Sequence, residues 1–113
     1  MRLSQAEITQ QNQQKYLISG TVDFSTVPGL LQQSSGFFAA AKAMDGSSPD
    51  SRQVTIDLSQ VEECNSAALA LMLEIVKNAQ QKMLEVHFEN LPTTLLTIAR
   101  AYGVENEIRD LCR

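Results

Sequence analysis

The 113-residue chain predicts an α/β fold, a mixed sheet of about four strands with helices packed against it. Three observations carry that expectation. Apolar and polar residues alternate in three separate runs, at 15–24, 54–58 and 84–89, as in half-buried strands. Apolar residues recur at helical spacing from Val27, from Ser66 and from Pro92. The order strand, strand, helix, strand, helix, strand, helix joins the later strands through helices, which favours parallel neighbours. The leading pair of strands reads as a hairpin, so the sheet is mixed.

Each element has its own local reason. Residues 3–9 alternate weakly, and Gln11-Asn12-Gln13-Gln14 suits the turn into the stronger strand at 15–24. Thr26-Val27-Pro28 reads as a helix start, because proline in the first turn gives up an amide with no partner there. Val27, Leu30, Leu31, Ser34, Phe38 and Ala41 then share one face of a helix ending near Lys42, which Gly36 weakens by about 1 kcal/mol relative to alanine. The residues at 45–51, DGSSPDS, are a loop by composition. Val54, Ile56 and Leu58 form the next strand. The helix from Ser66 to Lys82 carries Leu69, Met72, Leu73, Val76 and Ala79 as its buried stripe. A strand at 84–89 precedes a helix opened by Pro92, with Leu95, Leu96, Ile98, Ala99 and Tyr102 apolar and Gly103 as its C-terminal cap. Residues 104–108 and Leu111 read as a short turn or strand end.

Composition bounds the function. The length suits one domain, residues 1–113, with one core. Hydrophobic residues make up 43% and charged residues 19%, as in globular proteins, and the absence of Trp makes the core mainly aliphatic. Nine basic against thirteen acidic side chains leave a net charge of -4, which argues against a nucleic-acid binder. The first residues are too polar for a signal peptide. The longest apolar run, 67–73, is far short of the roughly 20 residues that span a bilayer. Cys64 and Cys112 lack metal or CxxC spacing and read as free thiols in a reducing cytoplasm.

The richest stretch is 54–76, VTIDLSQVEECNSAALALMLEIV. It sets Asn65-Ser66 between a strand and a long apolar helix. Two uses compete for this turn. Asn65 or Ser66 caps the helix, worth about 1 kcal/mol, without the reciprocal capping box, since Ala68 and Leu69 stand three residues on. Alternatively, the Ser66 hydroxyl is phosphorylated or meets a partner at the positive end of the helix dipole. The helix is apolar all round in its first two turns. Either it is buried on both sides, or Ala68, Leu71 and Ile75 form an exposed patch that docks a partner. His87 with Glu85 and Glu89 reads as a solvated strand face rather than a metal site or acid–base pair. Cys64 has no histidine at a readable spacing to activate it. Neither a phosphate-cradling glycine loop nor a Ser/His/Asp or zinc signature is present. The chain is therefore expected not to be an enzyme, and to need no cofactor or metal.

The same stretch resembles a family. IDLSQVEECNSAALALML, residues 56–73, is similar to the central segment of STAS domains, which bacterial anti-sigma factor antagonists share with the tails of sulfate transporters. Asp57-Leu58-Ser59 matches that family's strand end, Asn65-Ser66 falls on its Asp-Ser/Thr pair, and Ala67-Ala68-Leu69 on the small residues and leucine that follow. VHFENLP and LLTIARAYGVENEI, residues 86–92 and 95–108, resemble its last strand and helix. Within the family, LISGTVDFSTVPGLL and ARAYGVENEI resemble the MlaB branch most.

That resemblance implies a non-catalytic accessory subunit. It would bind the cytoplasmic ATPase of a phospholipid ABC transporter that maintains outer-membrane lipid asymmetry. Its place would be the cytoplasm, reaching the inner membrane only through its partner. Asn65, Ser66, Ala68, Leu71 and Ile75 are the expected contacts. The alternative is an antagonist that meets an anti-sigma factor kinase and is phosphorylated at Ser66. Two departures weigh against it: Asn65 replaces the carboxylate before the target serine, and the methyls of Ala67 and Ala68 replace a glycine and would crowd a kinase.

Overall fold

A computed structural model describes residues 5–12, 14–43 and 53–112, the side chains of 40–43 excepted. The expectations for Leu3, Gln13, the side chains of Ala41 and Lys42 and the 45–51 loop lie outside the described residues. Four strands, β1 (Ala6–Asn12), β2 (Lys15–Val22), β3 (Gln53–Cys64) and β4 (Glu85–Glu89), form one sheet in that order. β1 runs antiparallel to β2, while β2–β3 and β3–β4 are parallel. The parallel steps are bridged by α1 (Val27–Ala43) and α2 (Ala67–Gln81), and α3 (Thr93–Ala101) and α4 (Glu105–Asp110) complete the order. Two right-handed crossovers advancing in the same direction across a sheet place their helices on one face.

Side-chain alternation explains where the core sits. Tyr16, Ile56 and Phe88 lie side by side across β2, β3 and β4, and all three are buried with Leu30, Phe38, Met72, Ile75, Leu95 and Ile108 from the helices. Tyr16 meets Phe37 and Phe38 with ring centroids 5.1 and 6.3 Å apart, which ties β2 to α1. The next row, Thr9, Leu17, Asp57 and Glu89, points to the opposite face. There Lys15 Nζ lies 2.9 Å from Glu89 Oε1.

Several details depart from the sequence reading. β3 is 12 residues long because two register irregularities against β2 carry it past Leu58, and they also break the alternation that would have revealed it. β2 stops at Val22 because Asp23 turns the chain. The segment at 104–108 is not a turn: residues 105–110 form a helix, after which Cys112 bridges Phe88 as a strand end. Tyr102, expected on the apolar face of α3, is 65% exposed. Gly103 caps as expected, with φ 74°, and the amides of Gly103 and Val104 donate to the carbonyls of Arg100 and Ala99. α2 ends in the same motif, but there Met83 takes the left-handed position at φ 59°.

The main correction concerns α2. Ala68, Leu71 and Ile75, expected as an exposed docking patch, are 5%, 2% and 0% exposed and belong to the core. Leu73, expected inside, is 49% exposed. At 100° per residue the buried arc is centred about 80° away from the predicted stripe. The cause is packing on two sides. α2 meets both α1 and β4, so Ala67, Ala68, Leu69, Leu71, Met72, Ile75 and Ala79 are all buried. Of the two sequence alternatives, burial on both sides is the one realised.

Candidate docking rim at the ends of the parallel strands

The carboxyl ends of β2, β3 and β4 open onto three turns: Asp23–Thr26, Asn65–Ser66 and Asn90–Pro92. Val22 and Cys64 are partners in the sheet, and the Asn65 amide donates to the Val22 carbonyl at 3.3 Å. The first two turns therefore sit side by side, as neighbouring strands do at about 5 Å spacing.

The capping role in the second turn falls to Asn65, not Ser66. Asn65 Oδ1 accepts the Ala67 amide at 2.9 Å, and its carbonyl accepts the Ala68 amide at 3.0 Å. Ser66 already has helical angles, φ -61° and ψ -19°, and its hydroxyl makes no capping bond. The half-buried Ser66 thus stands at the N-terminus of a 15-residue helix with its hydroxyl unused for capping. The methyls expected to crowd a kinase do not do so: Ala67 and Ala68 are 1% and 5% exposed, directed into the protein.

From Ser66 an outward stripe descends α2 through Ala70, Leu73, Glu74 and Lys77, all exposed below the half-buried serine. Leu73 is its apolar member. Sequence reasoning missed it because in that sequence a leucine beside Met72 fits an inward stripe equally well. The signal was its company: Ala70, Glu74, Lys77 and Gln80, three or four residues apart from it or from one another, are small or polar. Phe24, in the first turn and 71% exposed, was missed as well because a strand was read through it.

The third turn is held from the sheet. Asn90, at φ 59°, donates from Nδ2 to Asp57 Oδ1 at 3.1 Å, and the Ser59 amide donates to the same oxygen at 2.8 Å. Burial opposes ionisation of Asp57, but these hydrogen bonds, a further one from the Ser59 hydroxyl and the charge of Lys15 outweigh it and hold the carboxyl below its ordinary range.

The remaining chemical candidates are dispersed. Glu89 pairs with Lys15, while Glu85 lies 3.1 Å from His87 Nε2, so the three strand residues form two separate contacts. Among the described residues no three His, Cys, Asp or Glu groups stand where they could hold a metal ion. Cys64 and Cys112 are free thiols. Burial pushes both thiols up, with Arg109 partly opposing this at Cys112, so neither is a ready nucleophile. Beneath the rim, Leu58, Cys64, Leu71, Phe88 and Leu95 line an apolar void of about 10 Å³, room for one water at most. A much wider open groove, about 1020 Å³, runs between β1 and α1 past Glu7, Gln32, Gln33 and Phe37.

The family model described as "Mlab, STAS domain" matches residues 8–111. The chain belongs to the STAS domain family. Among solved structures, this STAS domain is similar to the anti-sigma factor antagonist SpoIIAA in its unphosphorylated form, with a TM-score of 0.64 and 12% identity. That likeness covers 96% of this chain and 86% of the other, and establishes the fold. Comparison with curated protein sequences gives no match. The mixed four-stranded sheet with its helices is thus the STAS fold expected from residues 56–73.

Proposed function

We propose that this STAS domain, as a single unit over residues 1–113, is a non-catalytic adaptor. It binds and stabilises the cytoplasmic ATPase of a phospholipid ABC transport system serving outer-membrane lipid asymmetry. The observation that carries the reading is the match to the Mlab family model from residue 8 to 111. The surface proposed for the contact is Asn65 and Ser66 at the rim, continued by Ala70 and Leu73, and the exposure of Asn65, Ala70 and Leu73 on the outer side supports it. Ala68, Leu71 and Ile75 support that surface from within. Burying this face against the ATPase favours the assembled state, because apolar area removed from water exists only in the complex. The domain stays in the cytoplasm and meets the inner membrane through its partner. Among the described residues, no helix is long and apolar enough to cross a membrane.

Co-purification with the ATPase from membranes tests the reading. Leu73→Asp and Ser66→Glu, verified as folded, are expected to lose the partner. If both co-purify as well as wild type, the surface is wrongly assigned.

A second reading, a phospho-regulated anti-sigma factor antagonist, draws on the SpoIIAA-like fold and on the Ser66 hydroxyl that capping leaves unused. It requires an ATP-dependent mass gain of one phosphate at Ser66 with an anti-sigma factor kinase, and loss of binding afterwards. An unmodified Ser66 under those conditions removes it.

A further inference from the structure

We propose that Phe24 is the aromatic anchor of this docking rim, seating in an apolar slot ringed by lysine and arginine on the ATPase subunit. The inference rests on the adaptor reading and adds a residue and a partner chemistry to it.

Phe24 is 71% exposed, the most exposed of the large apolar side chains among the described residues. A single exposed apolar residue is ordinary on a protein surface. What sets this one apart is the turn that presents it. Asp23 Oδ1 accepts the Ser25 amide at 2.9 Å, the Ser25 hydroxyl at 2.6 Å and the Thr26 amide at 3.1 Å. Thr26 Oγ1 donates to the Thr21 carbonyl at 2.9 Å and accepts the Asp23 amide at 3.0 Å. The backbone that carries Phe24 is thus fixed by hydrogen bonds on both sides of it. A turn backbone pre-positioned this way loses little freedom on binding, and an aromatic side chain with only two torsions to order suits such an anchor.

Location and charge identify the occupant. Phe24 lies two residues beyond Val22 and Ser66 two beyond Cys64, and Val22 and Cys64 are sheet partners, so both emerge from one end of adjacent strands. A partner seated on Ser66 reaches Phe24 without a second interface. Beside the turn, Glu63 pairs with Thr21 across the sheet, and Glu62 precedes it. Both are exposed, and among the described residues neither makes an ion pair. Two carboxylates on the strand end beside the turn of an exposed aromatic residue are complemented by lysine and arginine next to an apolar slot, which also speeds encounter.

The test is binding of the purified ATPase subunit to wild type, Phe24→Ala, Phe24→Trp and the double variant Glu62→Lys/Glu63→Lys, with kinetics at low and high salt. Phe24→Ala is expected to weaken binding by about 30-fold or more, as central aromatic anchors do. Its thermal midpoint should stay unchanged, since the ring is exposed, and Phe24→Trp should retain most of the affinity. The glutamate variant should associate about tenfold more slowly at low salt and lose most of its salt dependence. If wild type binds and Phe24→Ala binds within twofold of it, the anchor is refuted and the adaptor reading stands. If wild type does not bind, the adaptor reading fails and the occupant named here fails with it. Dimerisation of the chain that Phe24→Ala abolishes, with ATPase binding intact, would make the occupant a second copy and overturn the proposal.

Discussion

Replacing Leu71 and Leu73 by alanine, one at a time, decides which way α2 faces. The two leucines are two residues apart on the same helix, have equal helix propensity, and differ in one respect: Leu71 is 2% exposed and Leu73 49%. Leu71→Ala removes three buried carbons, about 2.4 kcal/mol at roughly 0.8 kcal/mol each. Leu71 also borders the apolar void shared with Leu58, Phe88 and Leu95, so the new space joins one that already exists. A residual cavity adds about 1 kcal/mol, for a total near 3–4 kcal/mol. For a domain of this size the thermal midpoint should fall by roughly 12–18 °C. Leu73→Ala should change stability by no more than about 0.5 kcal/mol, as exposed substitutions do. Urea unfolding followed by far-ultraviolet circular dichroism, with a common slope for all three proteins, gives both numbers. If Leu73→Ala costs as much as Leu71→Ala, the orientation of α2 is wrong and the outer face proposed for docking does not exist.

Three further outcomes test other parts of the account. Asn65→Ala should lower stability by about 1 kcal/mol through loss of the Ala67 amide bond, and Ser66→Ala by much less, in the same urea assay. Gly20→Ala should cost about 2 kcal/mol or more. Gly20 has φ 94°, and a Cβ there would overlap the Gln5 carbonyl oxygen and stand 3.0 Å from the Ala6 Cα; a thermal melt reads the loss. For Asp57 the folded carboxyl lies below its unfolded value of about 3.9, so its contribution is fully present above that value and is lost as pH falls through the folded one. Wild type should therefore lose stability more steeply than Asp57→Asn when urea midpoints are compared from pH 5 downward, and parallel curves would exclude the effect.

The fold was legible because its signals are local. Tyr16, Ile18 and Val22, then Val54, Ile56 and Leu58, then Val86 and Phe88, are buried as their alternation requires. Leu30, Ser34 and Phe38 lie on one buried face of α1, and Ser34 satisfies its hydroxyl on the Leu31 carbonyl at 2.9 Å. The far half of β3 was hidden because an irregular register destroys the period-two pattern by which strands are recognised. The family was legible in the run 56–73, where strand end, polar turn and apolar helix follow in fixed order.

The candidate site was legible only in its centre. Asn65 and Ser66 mark the turn in any reading, since a polar pair between a strand and an apolar helix has few other places to be. Which of the two caps the helix depends on backbone angles: Ser66 is already helical, and that leaves the amide of Ala67 to Asn65. Phe24 lies outside β2 only because the strand ends at Val22, two residues earlier than its alternation predicts, where Asp23 turns the chain.

By itself, the sequence determined the strand and helix order as far as α3, the mixed sheet, the position of the polar turn and the family resemblance, because periodicity, capping and turn chemistry act between near neighbours. Tertiary structure alone decided which side of α2 faces water. With Ala67 to Leu73 apolar all round, the helix by itself has no preferred inward direction. The choice is made by what packs on it, α1 on one side and β4 on another, which buries Ala68, Leu71 and Ile75 and leaves Leu73 outside. Contacts between elements distant in the chain set that rotation.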